Sequence, residues 1–467
     1  MKKFTTSALL ATCALTLATP AALAQGTSTA IPGNNLGELS PDGFFVAGRD
    51  GVGTFVWNAT GGFTYSINSN MFPEDASANA FRVAGDPFDT ILGATTPGYW
   101  DTLADSETAF GQNPSLGGGC PDYGSARVIS HDGFISAGLV WDGCSTDAFK
   151  WDAANGYTIL PEGVGTSTQV TALSGDGSTA GGWSQSGGLS FETCYLWDAA
   201  NMLTLPLTRP ANPGGNGKIN GIDYDGDSYV GRDIATLGTT GFLVHEGTFT
   251  AITGQTESLA VSGDGRVVVG QAGSGGPFGS LSGQVYTTFG GNMSALAFFA
   301  QFGVTPAVGQ TDFGSVIDVS NDGNTFLVRS ADSFFGEAVV VSLPNNWTDL
   351  GGASAGINGL PTLEGFGWLN PGMTAGIALD NAATGSVGAL AYGGAYNPTP
   401  IYGGFVGPFP WDGVLFFPTG ANGSVEFTFT WPLTMPSGVQ LFLQFGVLDA
   451  AGTSGIALSN TLQATGN

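Results

Sequence analysis

Basic side chains are scarce. Eleven Lys and Arg stand against 37 Asp and Glu in 467 residues, and His131 and His245 are the only histidines. Phosphate recognition needs clustered Lys and Arg, so nucleic acid is excluded as a partner class, and no polybasic patch serves an anionic lipid surface. With two histidines, schemes built on paired or clustered imidazoles are cramped from the outset. Charged residues make up only 10% of the chain and apolar ones 42%, which separates it from charge-rich disordered polymers. Past the N-terminal leader, no stretch approaches the ~20 apolar residues needed to span a bilayer. What is abundant is Gly, at 77 residues, together with 11% aromatics. That mixture favours many short strands joined by tight turns over long helices. The length exceeds the roughly 250–300 residues at which single cores stop growing, so two or more domains are expected.

Residues 1–24 read as a signal peptide. Lys2 and Lys3 precede an apolar stretch from Ser7 to Thr19, and Ala22-Leu23-Ala24 fits a cleavage site ahead of Gln25. Cys13 lies inside that stretch and goes with it. Removing two Lys takes the net charge from −26 to −28, so the expected product is an exported, strongly acidic protein. Three cysteines remain in an oxidising compartment. Cys120 follows Gly117-Gly118-Gly119, and Cys144 sits in Asp142-Gly143-Cys144-Ser145. Both are loop cysteines of one repeat, so they are expected to pair as a disulfide. Cys194 lies in a strand-like stretch and is expected to be buried.

Self-similarity organises the rest. The unit is Ser-x-Asp-Gly followed by an apolar run that usually ends in Gly. It occurs as Ser40-Pro41-Asp42-Gly43, Ser130-His131-Asp132-Gly133, Ser174-Gly175-Asp176-Gly177, Ser262-Gly263-Asp264-Gly265 and Ser320-Asn321-Asp322-Gly323, with Asp223-Tyr224-Asp225-Gly226 as a variant. A worn copy is placed at Gly85-Asp86-Pro87. Each copy has a second half of the type Phe55-Val56-Trp57-Asn58, Phe149-Lys150-Trp151-Asp152 or Tyr195-Leu196-Trp197-Asp198. Asp-Gly between two extended runs makes a tight turn, because Gly accepts positive φ and Asp bonds the local backbone. Each unit then holds four short strands, and four antiparallel strands every ~40–50 residues are the signature of a propeller blade. Seven copies predict an all-β, seven-bladed β-propeller over 26–348. The stretch from Met293 to Phe302 reads as a short helix, with 293, 296, 299 and 300 on one apolar face.

These Ser-x-Asp-Gly and Phe-x-Trp units resemble the HAF-type repeats of bacterial extracellular proteins, over about residues 35–350. The resemblance implies a propeller and a secreted or surface-associated setting; it carries no catalytic residue set. After Asp349-Leu350 the repeat stops. Runs at 374–380, 387–392, 413–417, 424–431, 439–447 and 455–459 predict a jelly-roll-like β-sandwich over 349–467. This segment is also similar to a C-terminal module found on many secreted bacterial proteins.

The chemistry is thin. Because one Asp recurs in every unit, Asp42, Asp132, Asp176, Asp225, Asp264 and Asp322 are read as turn formers, not catalysts. Arg49, Arg82, Arg127, Arg232 and Arg266 could furnish a carboxylate clamp only if the fold brings them together. Asp223, Asp225 and Asp227 alternate around Gly226, as in calcium loops built of oxygen ligands, though without the distal Glu of an EF-hand. They are the one metal candidate, and calcium the one cofactor implied. The reading that follows is a secreted, non-enzymatic binding or scaffold protein at the cell surface or in the matrix. Its expected partner is a glycan or another surface protein. The alternative is a secreted hydrolase or lyase acting on polysaccharide in the propeller funnel. Two buried, converging carboxylates or a metal there would favour the enzyme, and a funnel closed by apolar side chains the scaffold.

Overall fold

The computed structural model describes residues 25–31, 35–69, 71–89, 94–111, 123–141, 145–162, 167–185, 192–200, 203–204, 216–235, 238–273, 281–306, 312–330 and 338–467. The leader, Cys120 and Cys144 lie outside the described residues, and so does the expected bridge. The chain divides into two compact units, Gly26–Leu343 and Pro344–Asn467. The strand Trp347–Asp349 pairs with Leu462–Thr465 in the second unit, so Trp347 and Thr348 belong there and not to the repeat.

Among its described residues the first unit holds seven four-stranded antiparallel sheets, a two-stranded ribbon and one short helix. The innermost strands, in chain order, are Asn35–Leu39, Pro73–Ala76, Gly124–Ile129, Ser167–Leu173, Gly217–Ile222, Glu257–Val261 and Phe313–Val319. Six sheets take four successive strands in simple up-and-down order, apart from the ribbon inserted in the second. The seventh takes three, and its outer strand is Thr27–Ile31, paired antiparallel with Ala338–Ser342. The two ends of the unit thus share one sheet. Sequence reasoning had no signal for this, because Thr27–Ile31 carries no part of the repeat.

The turn chemistry explains why each copy folds alike. The Ser side chain is fully buried, and its Oγ accepts the amide five residues on: Phe45 N to Ser40 Oγ at 3.0 Å, and Thr325 N to Ser320 Oγ at 2.9 Å. The same hydroxyl donates to the Asp, as from Ser320 to Asp322 Oδ1 at 2.6 Å, and that oxygen accepts Asn324 N at 3.0 Å. Gly323 closes the turn at φ +69°, a conformation that a Cβ penalises. Two copies depart from expectation. The worn second copy is Ser77-Ala78-Asn79-Ala80, not the stretch at Asp86. There Ser77 Oγ accepts Arg82 N, Asn79 Oδ1 accepts Phe81 N, and Ala80 takes φ +50°. In the fifth copy Asp223, at the Ser position, holds the turn by accepting Gly226 N and Ser228 N, the second being the bond that the serine hydroxyl accepts in the other copies.

Apolar clusters sit in the seams between sheets. Ala84 and Tyr99 of the second pack with Ile129, Phe149 and Trp151 of the third. Ile31, Leu327 and Val340 of the seventh pack with Leu39, Val46, Phe55 and Trp57 of the first. The helix spans Ala295–Ala300, capped by the Ser294 side chain, and buries Ala295, Phe298 and Phe299. The expected face through 293 and 296 is therefore displaced. Phe299 packs at 5.2 Å on both Phe313 and Phe326.

In the second unit, a sheet of strands Trp347–Asp349, Leu462–Thr465, Gln440–Leu448, Val387–Gly393 and Gly413–Pro418 shares one core with a three-stranded sheet of Thr362–Gly367, Thr374–Asp380 and Val425–Thr430. Trp431, Phe445, Leu443, Ile377 and Leu379 fill that core.

The turn account predicts that Ser320→Ala costs about 1–2 kcal/mol of unfolding free energy, since it orphans a buried amide, and Asp322→Ala about 1 kcal/mol. Denaturant unfolding checks both, and binding should survive in the folded Asp322→Ala protein.

Candidate functional site: a cavity between the inner strands

Every inner strand carries a β-bulge. Register against the second strand slips between Leu36 and Leu39, Pro73 and Asp75, Ala126 and Val128, Val170 and Ala172, Ile219 and Gly221, Ser258 and Ala260, and Val316 and Asp318. A bulge re-aims the extra residue. Here Gly37, Glu74, Arg127, Thr171, Asn220, Leu259 and Ile317, each three residues ahead of its turn, all line one cavity of about 790 Å³. Seven equivalent backbone irregularities thus present six different side chains and one glycine to a single space.

The x residues of the turns also meet at this cavity. Main-chain hydrogen bonds run from each x to its neighbour: Ala78 N to His131 O at 3.0 Å, His131 N to Gly175 O at 2.9 Å, Gly175 N to Asp223 O at 3.3 Å, Tyr224 N to Gly263 O at 3.4 Å, Gly263 N to Asn321 O at 3.0 Å and Asn321 N to Pro41 O at 2.8 Å. Pro41 has no N–H to continue the run. Space is tight: a Cβ on Gly175 would lie 2.5 Å from Tyr224 and 2.6 Å from His131. Asn321 Nδ2 donates to His131 Nδ1 at 3.1 Å, and the His131 ring lies 5.1 Å from that of Tyr224. Burial pushes His131 down to about 4, despite Asp132 and Asp176 nearby, so its imidazole is neutral at pH 7. Pro41, His131 and Asn321 line the cavity.

Charge in the cavity is divided. Glu38, Asp75 and Asp318 converge from the first, second and seventh sheets, while Arg127, Lys218 and Arg329 enter from the third, fifth and seventh. Each Asp bridges a seam. Asp318 Oδ2 accepts Leu39 N at 2.9 Å and its Oδ1 accepts Val319 N at 2.7 Å. Asp75 Oδ2 accepts Ile129 N at 2.8 Å and its Oδ1 accepts Ala76 N at 2.7 Å. Burial pushes Asp75 up to about 7 and Asp318 up to about 6, against the pull of those amides. Glu38 hydrogen-bonds Asp318, and burial plus the charges of Asp318 and Asp75 hold its carboxyl well above the usual range. Opposite, burial works against the charge of Glu257, but Lys218 at 3.0 Å and Arg232 outweigh it and hold that carboxyl low.

The arginines do not form a clamp. Arg82 donates to Gly133 O at 2.8 Å and lies over Tyr99 and Phe134, stitching the second sheet to the third. Arg49 lies over Phe72, Arg232 pairs with Glu192, and Arg266 approaches Asp264 at 3.6 Å. Of the five, Arg127 alone lines the cavity. The carboxylates of Asp223, Asp225 and Asp227 come within 4.8 Å of one another. Asp223 Oδ1 is engaged by two amides, Asp227 Oδ1 accepts Ser228 Oγ at 2.9 Å, and burial lifts Asp223 to about 7. A calcium ion takes six to eight oxygens, and this turn supplies three carboxyl groups already partly engaged. Cys194 is buried among Ala172, Ile219 and Phe242, as its strand position implied.

No family model matches the chain, and no curated protein does. Among solved structures, it is similar to TolB from Acinetobacter baumannii at 12% identity and a TM-score of 0.36, covering 55% of this chain and 63% of that one. The chain thus spans less than two thirds of that TolB. It is also similar to the oligogalacturonate lyase from Vibrio parahaemolyticus (11%, TM-score 0.43, 68% and 91% covered) and to the β-propeller domain of the Trilobed protease from Pyrococcus furiosus (10%, TM-score 0.39, 69% and 94% covered). The fold is all-β and its structural neighbours include β-propeller proteins. Among the described residues, no helix is long and apolar enough to cross a membrane.

The raised carboxyls set a pH dependence with a definite sign. A group whose folded pKa exceeds its unfolded value binds more protons in the folded state between the two. Its stabilising contribution is complete below about pH 4 and is lost as pH rises through about 7 for Asp75. Asp75 keeps some contact with cavity water, so Asp75→Asn is expected to flatten the stability profile between pH 4 and 7 by about 1–2 kcal/mol. Denaturant midpoints across that range measure it.

Proposed function

We propose that the seven sheets close into a seven-bladed β-propeller of the HAF-repeat type, followed by a β-sandwich, in an exported protein of the cell surface or matrix. Its role is binding and not catalysis, and the cavity between the inner strands is the ligand site. The observation that carries this reading is how the converging carboxyls are committed. Asp75 and Asp318 each give both oxygens to backbone amides, one of them across a seam. A catalytic acid or base must present its oxygen to the substrate, and these present theirs to the next blade. Beside them the cavity is lined by Arg127 and by Lys218, Asn220, Thr171 and Ser315, which also bond Glu257, Ser258, Ile219 and Gln271, a polar lining suited to a molecule that accepts hydrogen bonds. One observation favours the enzyme as a second reading. Glu38 hydrogen-bonds Asp318, and burial with the nearby acids holds its carboxyl well above the usual range, the direction a general acid for polysaccharide cleavage needs.

Calorimetric titration with soluble oligosaccharides and oligopeptides, alongside assays for reducing ends and for unsaturated sugar products, tests both. The binding reading predicts saturable binding that falls at least tenfold in Arg127→Ala, with no product released. Product formation abolished by Glu38→Gln in a folded protein would replace it with the enzyme reading.

A further inference from the structure

A second surface stands apart from the cavity reading and does not depend on it. In the unit Pro344–Asn467, strands Tyr396–Ile401 and Gly404–Pro408 form a two-stranded sheet of their own. Tyr396, Tyr402, Phe405 and Trp411 are between 42% and 51% exposed. Pro398, Pro400 and Tyr402 alternate outward while Thr399 and Ile401 turn in. Phe405 stands directly opposite Pro400, on the same face. From Ala395 to Trp411 there is no Asp, Glu, Lys, Arg or His, in a chain with a net charge of −26. Contiguous exposed aromatics on a soluble domain mark a contact site.

The hairpin is held rigid from below. Gln444, itself buried, donates from Nε2 to Phe405 O at 2.9 Å and accepts Gly407 N at 2.9 Å through Oε1. Tyr396 lays its ring 5.5 Å from that of Phe442, and Trp411 packs edge-on against Phe409 at 5.4 Å. Rings fixed in this way bind at little cost in side-chain freedom. The strand Tyr396–Ile401 is a poor template for an added strand, since Pro398 and Pro400 remove two donors from it. A protein partner joining by strand addition is therefore disfavoured.

We propose that this hairpin is a stacking platform for a neutral polysaccharide. A sugar ring offers an apolar C–H face to an aromatic side chain and a rim of hydroxyls to polar groups. Tyr396, Tyr402 and Trp411 combine a flat ring with a polar tip, and the exposed Asn397 adds an amide beside Tyr396. The five steps from Tyr396 to Ile401 span roughly 16 Å, enough for several sugar rings in a row. The uncharged segment fits an uncharged polymer, and the acidic chain around it repels an anionic one.

Affinity electrophoresis of the mature protein in gels containing hydroxyethylcellulose, mixed-linkage glucan, glucomannan or dextran tests the proposal, with pectate and alginate as anionic counter-probes. Expected is retardation by at least one neutral polymer and by neither anionic one. Tyr402→Ala with Phe405→Ala should weaken it at least tenfold at an unchanged unfolding midpoint. Tyr402→Phe should retain it, and so should Arg127→Ala in the other unit. Absence of retardation in every neutral gel would overturn the proposal. So would preference for pectate or alginate, or undiminished binding by the double variant. Concentration-dependent self-association that the double variant removes would assign the face to a second copy of the chain instead.

Discussion

The contact on which the repeat unit depends is the main-chain hydrogen bond from the x residue of one turn to the adjoining turn. Ser-x-Asp-Gly fixes each turn from within, through a buried hydroxyl and a carboxylate that accepts local amides. That leaves the peptide of x pointing sideways, toward the adjoining sheets. Buried backbone groups need partners, and from Ala78 around to Pro41 each x finds one in the next turn. One seam, between the first and second sheets, lacks the bond because Pro41 cannot donate. Other contacts take over there: Arg49 lies over Phe72, Ser66 and Asn68 bond Asp105, and Ala47 and Val56 pack with Met71, Val83 and Trp100.

The same geometry makes the cavity. Turns that meet side by side bring the seven inner strands together, and the bulge just upstream aims a different side chain inward from six of them, with Gly37 at that place in the first. Local backbone chemistry is repeated while side-chain chemistry is varied. The scaffold can therefore be uniform and the lining specific, with Glu38, Asp75 and Asp318 set among Arg127, Lys218 and Arg329. The carboxyls of Asp75 and Asp318 belong to both layers: they face the cavity and close seams. This dual role is why burial can push them up while their oxygens stay engaged with amides.

Much of this was legible in the residues. The Asp-Gly turns, the Phe-x-Trp strands and most strands of the second unit lie where the pattern places them, because each signal is local. The failures are all non-local or substituted. Thr27–Ile31 gives no sign of pairing with Ala338–Ser342, which lies some three hundred residues away. Ser77-Ala78-Asn79-Ala80 keeps the hydrogen bonds of the turn while losing its Asp and Gly, so the repeat seemed to sit at Asp86. Asp223 took over from a serine by offering the same acceptor. The cavity acids were invisible as a group, since Glu38, Asp75 and Asp318 share no motif, and only the seams bring them together. The exposed hairpin at 396–408 was missed because its prolines and glycines read as a loop.

Native-state hydrogen exchange at the x amides tests the account most directly. It predicts that the N–H groups of Ala78, His131, Gly175, Tyr224, Gly263 and Asn321 exchange only through global unfolding, with protection matching the most stable core amides of the same unit. Exchange of these amides at the rate of exposed loop amides such as Val52, in a protein otherwise protected, would show that the turns do not hold one another. It would contradict the turn-to-turn contacts and the cavity built on them.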